Sequence, residues 1–346
     1  MKKILISALE PSANLHLGEV LKHLAGYEIC GIFDERYGVP AYKSSEFSAM
    51  GFAGVLGLVF KARQAIKELV CLAKDCDVVL LIDAPAFNIP LAKALKNAGV
   101  KAKIIYYILP KVWAWKRERA KAVRQYCDEL ASILPFDEQF FVGAKYVGNP
   151  LLDEIKQFKS APSKSGVVAF MPGSRRGEIA RLMPVFKQVA GQIAAKKVLV
   201  VPPFFRDRLS EIYGDVSEFE ISSDTASTLN LSDFAFICSG TATLEAALIG
   251  TPFVLAYKAR AVDIMIAKML VKIKFIGLAN IMFDFMGKPP LNVELIQDDV
   301  SAKSLLNAYE NHDADKFITA ASELRDYLGQ GSSQNVANLI KEIAVE

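Results

Sequence analysis

The sequence of 346 residues predicts an α/β protein built on two doubly wound parallel sheets. Short apolar runs rich in β-branched residues alternate with segments of helical period, as expected when helices cover both faces of a parallel sheet. The chain is also longer than the roughly 250–300 residues at which one core stops growing, so two domains are expected. The predicted strands are Ile4–Ser7, Val78–Ile82, Lys103–Tyr107, Val167–Met171, Val198–Val201, Phe234–Cys238 and Phe253–Ala256.

The segments between these strands predict helices, and a polar linker divides them into two halves. Residues 178–190 carry apolar side chains at helical spacing, and residues 329–343 resemble a capped final helix. The stretch 156–166 is rich in Ser, Pro and Gly, and strand–helix alternation restarts after it. We therefore predict domains at residues 1–158 and 159–326, followed by a terminal segment at 327–346.

Composition and patterning exclude several classes of protein. The net charge of +3 excludes a globally basic nucleic-acid binder. Mean hydropathy is high, at +0.25, yet the longest uncharged run, residues 47–60, contains glycine and serine and is shorter than the ~20 residues of a membrane span. The N-terminal apolar stretch ends at Glu10, too early for a signal peptide. Neither the five cysteines nor the three histidines have metal-ligand spacing, which predicts unpaired cysteines in a reducing compartment.

Two loops of the second half follow predicted strands and resemble anion sites. Ligands of open parallel sheets bind beyond the carboxyl ends of the strands. In the first loop, Gly173 and Ser174 form a turn that presents backbone amides, and Arg175 suits phosphate oxygens. The alternative is an ordinary turn with a solvated arginine.

The second loop offers small residues and hydroxyls to the same kind of ligand. It contains Ser239, Gly240 and Thr241, with Glu245 one turn into the next helix, where its carboxylate either accepts from ribose hydroxyls or caps the helix. Two anion sites at neighbouring strand ends favour a nucleotide diphosphate. The sequence lacks GxxxxGK[ST] and has no clean GxGxxG after the first strand, which argues against a P-loop NTPase and a dinucleotide dehydrogenase.

In the first half, acidic and polar residues follow two predicted strands. Asp83 ends an apolar strand and is a candidate general base, unless it only caps the next helix. Glu10, Ser12 and Asn14 follow the first strand, where His16 either joins them or is an ordinary residue of a helix face.

Three segments mix cationic with apolar or tryptophan side chains, a pattern that suits an anionic membrane surface. They are residues 47–60 with the basic residues that follow, residues 111–124 and residues 258–275. The alternative for each is a core helix with a solvated face. RNA binding by 111–124 is disfavoured because stacking platforms and a broader basic field are missing. The candidate membrane residues are Trp113, Trp115, Lys116, Arg117, Lys268 and Lys272.

Over its full length the chain resembles the lipid-A-disaccharide synthases of Gram-negative bacteria. The most specific blocks are VWAWKRERAK, GSRRGEI and SGTATLE, and weaker ones are EPSANLH, IDAPAFN, YVGNPLLD and LANI. The resemblance implies a GT-B fold, with two Rossmann-like domains facing a cleft, and an inverting transferase without metal or cofactor. The donor would be UDP-2,3-diacylglucosamine and the acceptor the 6-hydroxyl of 2,3-diacylglucosamine 1-phosphate (lipid X). The products would be lipid A disaccharide 1-phosphate and UDP.

The resemblance also implies how the chain is divided and where it acts. The first domain would bind acceptor and membrane, the second would bind the UDP-sugar, and residues 327–346 would pack back on the first. The enzyme would act as a peripheral protein on the cytoplasmic side of the inner membrane, with a homodimer left open.

Residue by residue, the resemblance implies three sets of site residues. The catalytic residues would be Asp83, as base, and Arg175, which stabilises leaving UDP. The donor set is Gly173, Ser174, Arg175, Ser239, Gly240, Thr241, Glu245, Asn280 and Glu294. The acceptor set is Glu10, Ser12, Asn14, Asn88 and Asn149.

Departures from the family pattern keep two other functions open. Leu9, Ala13 and Asn14 replace two glycines and an aspartate, Ala86 replaces a second acid, and Asn149 replaces a histidine. The first alternative is another GT-B enzyme of UDP-sugars, such as a UDP-GlcNAc 2-epimerase or a peptidoglycan glycosyltransferase. The second is a non-catalytic sugar-nucleotide-binding protein.

Overall fold

The computed structural model describes residues 2–48, 55–114, 116–259 and 274–344, and it confirms the predicted fold class. The chain forms two compact units, Met1–Glu154 with Leu328–Glu346, and Ile155–Tyr327. Each unit contains one sheet whose neighbouring strands are all parallel.

The sheet of the first unit has seven strands in the order β3-β2-β1-β4-β5-β6-β7. Its strands are β1 (Lys2–Ala8), β2 (Tyr27–Phe33), β3 (Tyr42–Lys43), β4 (Val78–Ile82), β5 (Lys103–Tyr107), β6 (Glu129–Ser132) and β7 (Lys145–Tyr146). The helices are α1 (Pro11–Leu21), α2 (Ser45–Ser48), α3 (Val55–Leu72), α4 (Pro85–Asn97), α5 (Glu118–Tyr126), α6 (Pro150–Glu154) and, from the end of the chain, α14 (Ser332–Ile343).

Side chains alternate across this sheet and feed two separate apolar layers. Leu5 of β1 packs into the layer formed with α3 and α4, while Ile4 and Ile6 pack into the layer formed with α1 and α14. Asp153 of α6 anchors the start of α14, because its carboxylate accepts from the backbone N–H of Gly331 and of Ser333, both at 2.8 Å. The last helix therefore completes the core of the first unit.

The sheet of the second unit has six strands in the order β10-β9-β8-β11-β12-β13. Its strands are β8 (Val167–Met171), β9 (Lys196–Val200), β10 (Glu220–Ser222), β11 (Phe234–Cys238), β12 (Phe253–Tyr257) and β13 (Val293–Ile296). The helices are α7 (Arg176–Ala190), α8 (Leu209–Tyr213), α9 (Thr225–Leu231), α10 (Thr241–Ile249), α11 (Leu278–Phe285), α12 (Ala302–Glu310) and α13 (Ala314–Leu328).

Aromatic side chains fill the core on one face of this second sheet. Phe170 of β8 and Phe236 of β11 stack with ring centroids 5.0 Å apart, and Phe186 of α7 meets Phe170 edge-on. These contacts fix α7 over the two central strands.

The strand order reverses direction once in each sheet, and this topology selects the place where a ligand is expected to bind. In the first sheet the switch lies between β1 and β4, and in the second between β8 and β11. Crevices at the carboxyl ends of strands at such switch points are the usual ligand sites of open α/β sheets. Asp83, Gly173 and Ser239 lie immediately or almost immediately after three of these four strands.

No helix in the described part of the chain is long and apolar enough to cross a membrane.

A buried carboxyl group lies in the turn that follows β6. Asp137 is 1% exposed, and one of its oxygens lies 2.7 Å from the Ser132 hydroxyl, which also donates to the carbonyl of Leu134. Burial raises the pKa of Asp137 to about 7. The single Ser132 proton cannot serve both acceptors, so a protonated Asp137 satisfies this network best.

Replacing Asp137 with Asn should reduce the pH dependence of stability. Because burial raises the folded-state pKa, the folded protein binds more protons than the unfolded chain between about pH 4 and 7. The free energy of unfolding of the wild type should therefore fall through this window by about 4 kcal/mol. Denaturant unfolding of wild type and Asp137→Asn at several pH values measures the difference. Glu138→Gln, at an exposed neighbour, is the control, and equal slopes for all three proteins would contradict the assignment.

Candidate active site

The turn after β4 holds Asp83 in a strained backbone conformation. Asp83 and Ala84 have φ values of 49° and 42°, in the left-handed region, which costs non-glycine residues about 1–3 kcal/mol each. The Asp83 carbonyl accepts from the Asn88 amide at 2.8 Å and the Tyr106 hydroxyl at 2.7 Å, and its N–H donates to the Tyr107 carbonyl at 2.9 Å. The surrounding bonds thus determine the position of this acid.

The electrostatic surroundings of Asp83 suit a general base. Burial raises the pKa of its carboxyl, while the charges of Lys111 and His16 and a hydrogen bond from Ala84 N–H act in the opposite direction. A carboxylate with a raised pKa accepts a proton more readily than an exposed one. Lys111 was not among the residues that the sequence singled out for this site.

His16 of α1 is held by an acid from another helix. It is 8% exposed, and its Nδ1 contacts the carboxylate of Glu154, at the end of α6. The sequence left the role of His16 open, and the structure places its charge within range of Asp83. No sequence motif pointed to Glu154 as a site residue, because its partner His16 lies 138 residues away in the sequence.

The predicted acceptor residues Asn14 and Asn88 are buried, and their amides bond within the protein. Asn14 Nδ2 donates to the carbonyls of Ala8 and Glu10, both at 3.0 Å, and its Oδ1 accepts from the N–H of Asp34 at 2.7 Å. Asn88 Oδ1 accepts from the Ser7 hydroxyl at 2.6 Å, and Nδ2 donates to the carbonyls of Ile82 and Asp83. In this structure both amides position the loops, and their contact with the acceptor stays a prediction.

Asn149 is buried in the same way, whereas two other predicted acceptor residues are accessible. Asn149 is 1% exposed, accepts from Leu151 N–H at 3.1 Å and donates to the carbonyl of Ile133. Glu10 is exposed and Ser12 is half-buried, at the start of α1. They remain predicted acceptor residues.

The predicted membrane residues divide into three groups. Trp113 is 6% exposed and packs edge-on against Phe136, so its ring lies in the interior of this structure, and its contact with a membrane stays a prediction. Lys116 and Arg117 are exposed. Trp115, Lys268 and Lys272 lie outside the described residues.

In the second unit, the loops after β8 and β11 lie side by side. Gly173 has a φ of 104°, and a Cβ there would lie 3.2 Å from Cys238 Sγ and 2.8 Å from a Glu178 oxygen. The positive φ therefore favours glycine here, and a larger residue would also have to displace the side chains of Glu178 and Cys238. Ser174, Gly240 and Thr241 are exposed and Ser239 is half-buried at these strand ends.

Two helix N-termini begin at these loops, and neither has a side-chain cap. α7 starts at Arg176 and α10 at Thr241, after the neighbouring strands β8 and β11. The first backbone N–H groups of a helix have no intrahelical acceptor, and the helix dipole adds positive potential there. Two such ends at one switch point are suited to an anion with two phosphate groups.

Arg175 lies beside these amides in an exposed ion pair. Its guanidinium donates to Glu178 at 2.8 Å, and its side chain is 81% exposed. An exposed pair of this kind contributes only about 0–1 kcal/mol, so little free energy opposes its exchange for a phosphate. The fork of N–H donors suits phosphate oxygens.

Two other predicted donor residues stabilise the entry to α11. The Glu294 carboxylate accepts from the N–H groups of Ile276 and Gly277 at 2.8 and 3.1 Å and from the amide of Asn280 at 2.9 Å. Asn280 is fully buried and forms hydrogen bonds with the backbone of residues 291–292, and its contact with the donor stays a prediction. Burial raises the pKa of Glu294. Glu245 lies half-buried on α10.

Within the described residues, no group of three or more His, Cys, Asp or Glu side chains is arranged to hold a metal ion.

Comparison with solved structures shows the fold. UDP-GlcNAc 2-epimerase from Neisseria meningitidis, bound to UDP-GlcNAc, superimposes with a TM-score of 0.63 at 11% identity, covering 99% of this chain and 100% of that one. A co-structure of S. aureus MnaA with UDP superimposes with a TM-score of 0.62 at 14% sequence identity, covering 99% of this chain and 96% of that one. MurG of Acinetobacter baumannii superimposes with a TM-score of 0.59 at 14% sequence identity, covering 99% of this chain and 100% of that one. These likenesses identify the two-sheet architecture as GT-B.

Comparison of sequences shows the family. A family model described as lipid-A-disaccharide synthetase matches residues 4–344. The lipid-A-disaccharide synthase of Campylobacter jejuni (strain RM1221) is 54% identical, covering 99% of this chain and 100% of that protein. That of Helicobacter pylori (strain G27) is 48% identical, with 98% of each covered. The chain therefore belongs to the lipid-A-disaccharide synthase family and is a glycosyltransferase of lipid A biosynthesis.

Proposed function

We propose that the enzyme transfers 2,3-diacylglucosamine from UDP-2,3-diacylglucosamine to the 6-hydroxyl of 2,3-diacylglucosamine 1-phosphate, with inversion at the anomeric carbon. The products are lipid A disaccharide 1-phosphate and UDP. The observation that carries this proposal is the pairing of a strained, partly buried acid at one switch point with two uncapped helix N-termini and an arginine at the other.

In this proposal the second unit binds the UDP part of the donor. The N-termini of α7 and α10 receive the diphosphate, and Ser239 and Thr241 contribute hydroxyls at the same strand end. The Neisseria meningitidis epimerase and S. aureus MnaA, whose folds are similar, are described with UDP-GlcNAc and with UDP respectively. These ligands support a UDP-sugar as the donor here.

The first unit supplies the base that activates the acceptor. Asp83 accepts the proton of the acceptor's 6-hydroxyl while the oxygen of that hydroxyl forms a bond to the anomeric carbon of the donor sugar. The bond from the anomeric carbon to the UDP oxygen breaks on the opposite face of the sugar. Negative charge develops on the leaving diphosphate, where Arg175 and the helix amides stabilise it. Transfer requires the reacting atoms to approach to about 3–3.5 Å, which the binding of both substrates must bring about.

We also propose that the enzyme acts at the cytoplasmic side of the inner membrane as a peripheral protein. The acyl chains of both proposed substrates place them in a bilayer. α3 presents Phe60 and Val59, which are 73% and 45% exposed, directly before Lys61, which pairs with Glu46, and the exposed Arg63. An apolar patch bordered by a basic residue suits an anionic lipid surface.

The alternative of a UDP-GlcNAc 2-epimerase rests on the fold alone. Its structural likeness has 11% sequence identity, whereas the lipid-A-disaccharide synthase relatives reach 54%. A non-catalytic binding protein would not need the strained turn at Asp83. Formation of the disaccharide from purified protein, UDP-2,3-diacylglucosamine and 2,3-diacylglucosamine 1-phosphate distinguishes the three proposals.

Replacing Asp83 with Asn should lower turnover about 10²–10⁴-fold, because the amide cannot accept the hydroxyl proton. The affinity for UDP, measured by calorimetry, should stay within about twofold, since UDP binds to the other unit. Asp75→Asn, at an exposed acid near the amino end of β4, is the matched control and should keep normal turnover. Near-normal turnover of the Asp83 variant would remove it from the mechanism.

Replacing Arg175 with Ala should weaken UDP binding about tenfold or more, because a charge-assisted contact to the diphosphate contributes about 1.5–3 kcal/mol. Calorimetric titration with UDP measures the change. Arg208→Ala is the matched control, since Arg208 forms the same i,i+3 ion pair with Glu211 on the exposed surface of the same unit. If the two variants bind UDP and turn over equally well, the diphosphate does not contact Arg175.

Replacing Lys111 or His16 with Gln should move the acidic limb of the kcat/KM profile to higher pH. Both charges lower the pKa of Asp83, so their removal leaves it protonated to a higher pH, and a protonated Asp83 cannot act as base. The Lys111 variant should show the larger displacement, since its charge has the larger effect. A uniform loss of activity with an unmoved limb would show that these residues do not act through Asp83.

A further inference from the structure

Two thiols from distant parts of the chain meet at the amino edge of the first sheet. Cys30 lies in the middle of β2 and Cys76 lies two residues before β4, and these two strands flank the central strand β1. Their Sγ atoms are 3.6 Å apart, although 46 residues separate them in the sequence. Asp83 lies at the opposite end of β4, so this pair is separate from the proposed acceptor site.

The surroundings of the pair favour reaction at Cys30. Its side chain is half-buried, whereas Cys76 is 9% exposed. The hydrogen bond from Cys76 lowers the pKa of Cys30, and the ammonium of Lys3 acts in the same direction, against burial and Glu28. The pKa of Cys76 is raised by the same hydrogen bond and by burial. The other charges facing the pair are Glu28, which forms a 2.9 Å ion pair with Lys3, and Asp75.

We propose that Cys30 and Cys76 form a reversible redox dithiol, which a peroxide converts to an intramolecular disulfide. The Cys30 thiolate attacks one peroxide oxygen, the O–O bond breaks, and a sulfenic acid and hydroxide result. The Cys76 sulfur then attacks the Cys30 sulfur and displaces water, so that two thiols and one hydrogen peroxide yield one disulfide and two waters. Two equivalents of a thiol reductant reverse the change by exchange.

The proposed disulfide would act on the end of α3. In the reduced protein the Cys76 thiol also lies 3.3 Å from the carbonyl of Leu72, the last residue of that helix. Oxidation removes this donor and ties the segment after α3 to β2. The inference is independent of the proposed substrates, because it uses no residue of either substrate site.

Thiol titration and peptide mapping of the full-length protein test the proposal. The reduced protein contains five thiols, and stoichiometric hydrogen peroxide should lower the titre by two. Mass spectrometry of a non-reducing digest should find the peptide containing Cys30 linked to the one containing Cys76. Dithiothreitol should restore the full titre. An unchanged titre, or linkage of any other pair, would overturn the proposal without bearing on the transferase activity.

Variants separate this pair from the other cysteines. C30S and C76S should each lose the cross-linked peptide, whereas C71S, at an exposed cysteine of α3, should still form it. Circular dichroism checks that each variant folds. If a serine variant does not fold, peptide mapping of the wild-type protein still tests the proposal by itself. A titre that falls by two in C30S as in the wild type would contradict the pairing.

Discussion

Where a parallel strand ends, its backbone N–H and C=O groups lose the hydrogen-bond partners that the neighbouring strands provided. The conformation of the loops in this protein depends on which other groups bond to them. Buried polar backbone must find a partner, and asparagine can donate and accept at once. The Asn14 amide forms hydrogen bonds with the backbone at the end of β1, and the Asn88 amide does so at the end of β4. The Asn280 amide forms hydrogen bonds with the backbone just before β13. Each amide replaces bonds that the sheet no longer supplies, so the accessible residues beside it have defined positions.

The strained backbone is concentrated at the same edge of the first sheet. Asp83 and Ala84 after β4 and Ile108 after β5 all have positive φ, and for a β-branched residue such as isoleucine this is uncommon. Such conformations persist only where neighbouring bonds over-determine them, as Asn88 and Tyr106 do for Asp83. Neighbouring strand ends thus hold several residues in conformations that cost free energy, which is the pattern expected at a catalytic site.

The sequence predicted the central strands and the strand ends at which the candidate site residues lie, but not the edge strands or the hydrogen bonds of the buried amides. Val78–Ile82 and Phe234–Cys238 are apolar throughout because helices cover both faces, and they begin and end as predicted. Edge strands such as Glu220–Ser222 and Val293–Ile296 are partly exposed and mixed in polarity, so no uniform run marked them. Motif matching found Asn14, yet only the fold shows that its amide bonds the backbone.

The two units stabilise charge by different means. In the second unit the fixed part of the proposed anion site is backbone, since the N-termini of α7 and α10 are oriented by the fold without a ligand. Arg175 is the adjustable part, because an exposed pair with Glu178 is weak enough to exchange for phosphate. In the first unit hydrogen bonds to the Asp83 backbone maintain its strained conformation, and Lys111 and His16 lower the pKa of the carboxyl against the effect of burial. In the proposed mechanism, Arg175 returns to Glu178 when UDP leaves, and the hydrogen bonds that fix the backbone of Asp83 come from the protein itself.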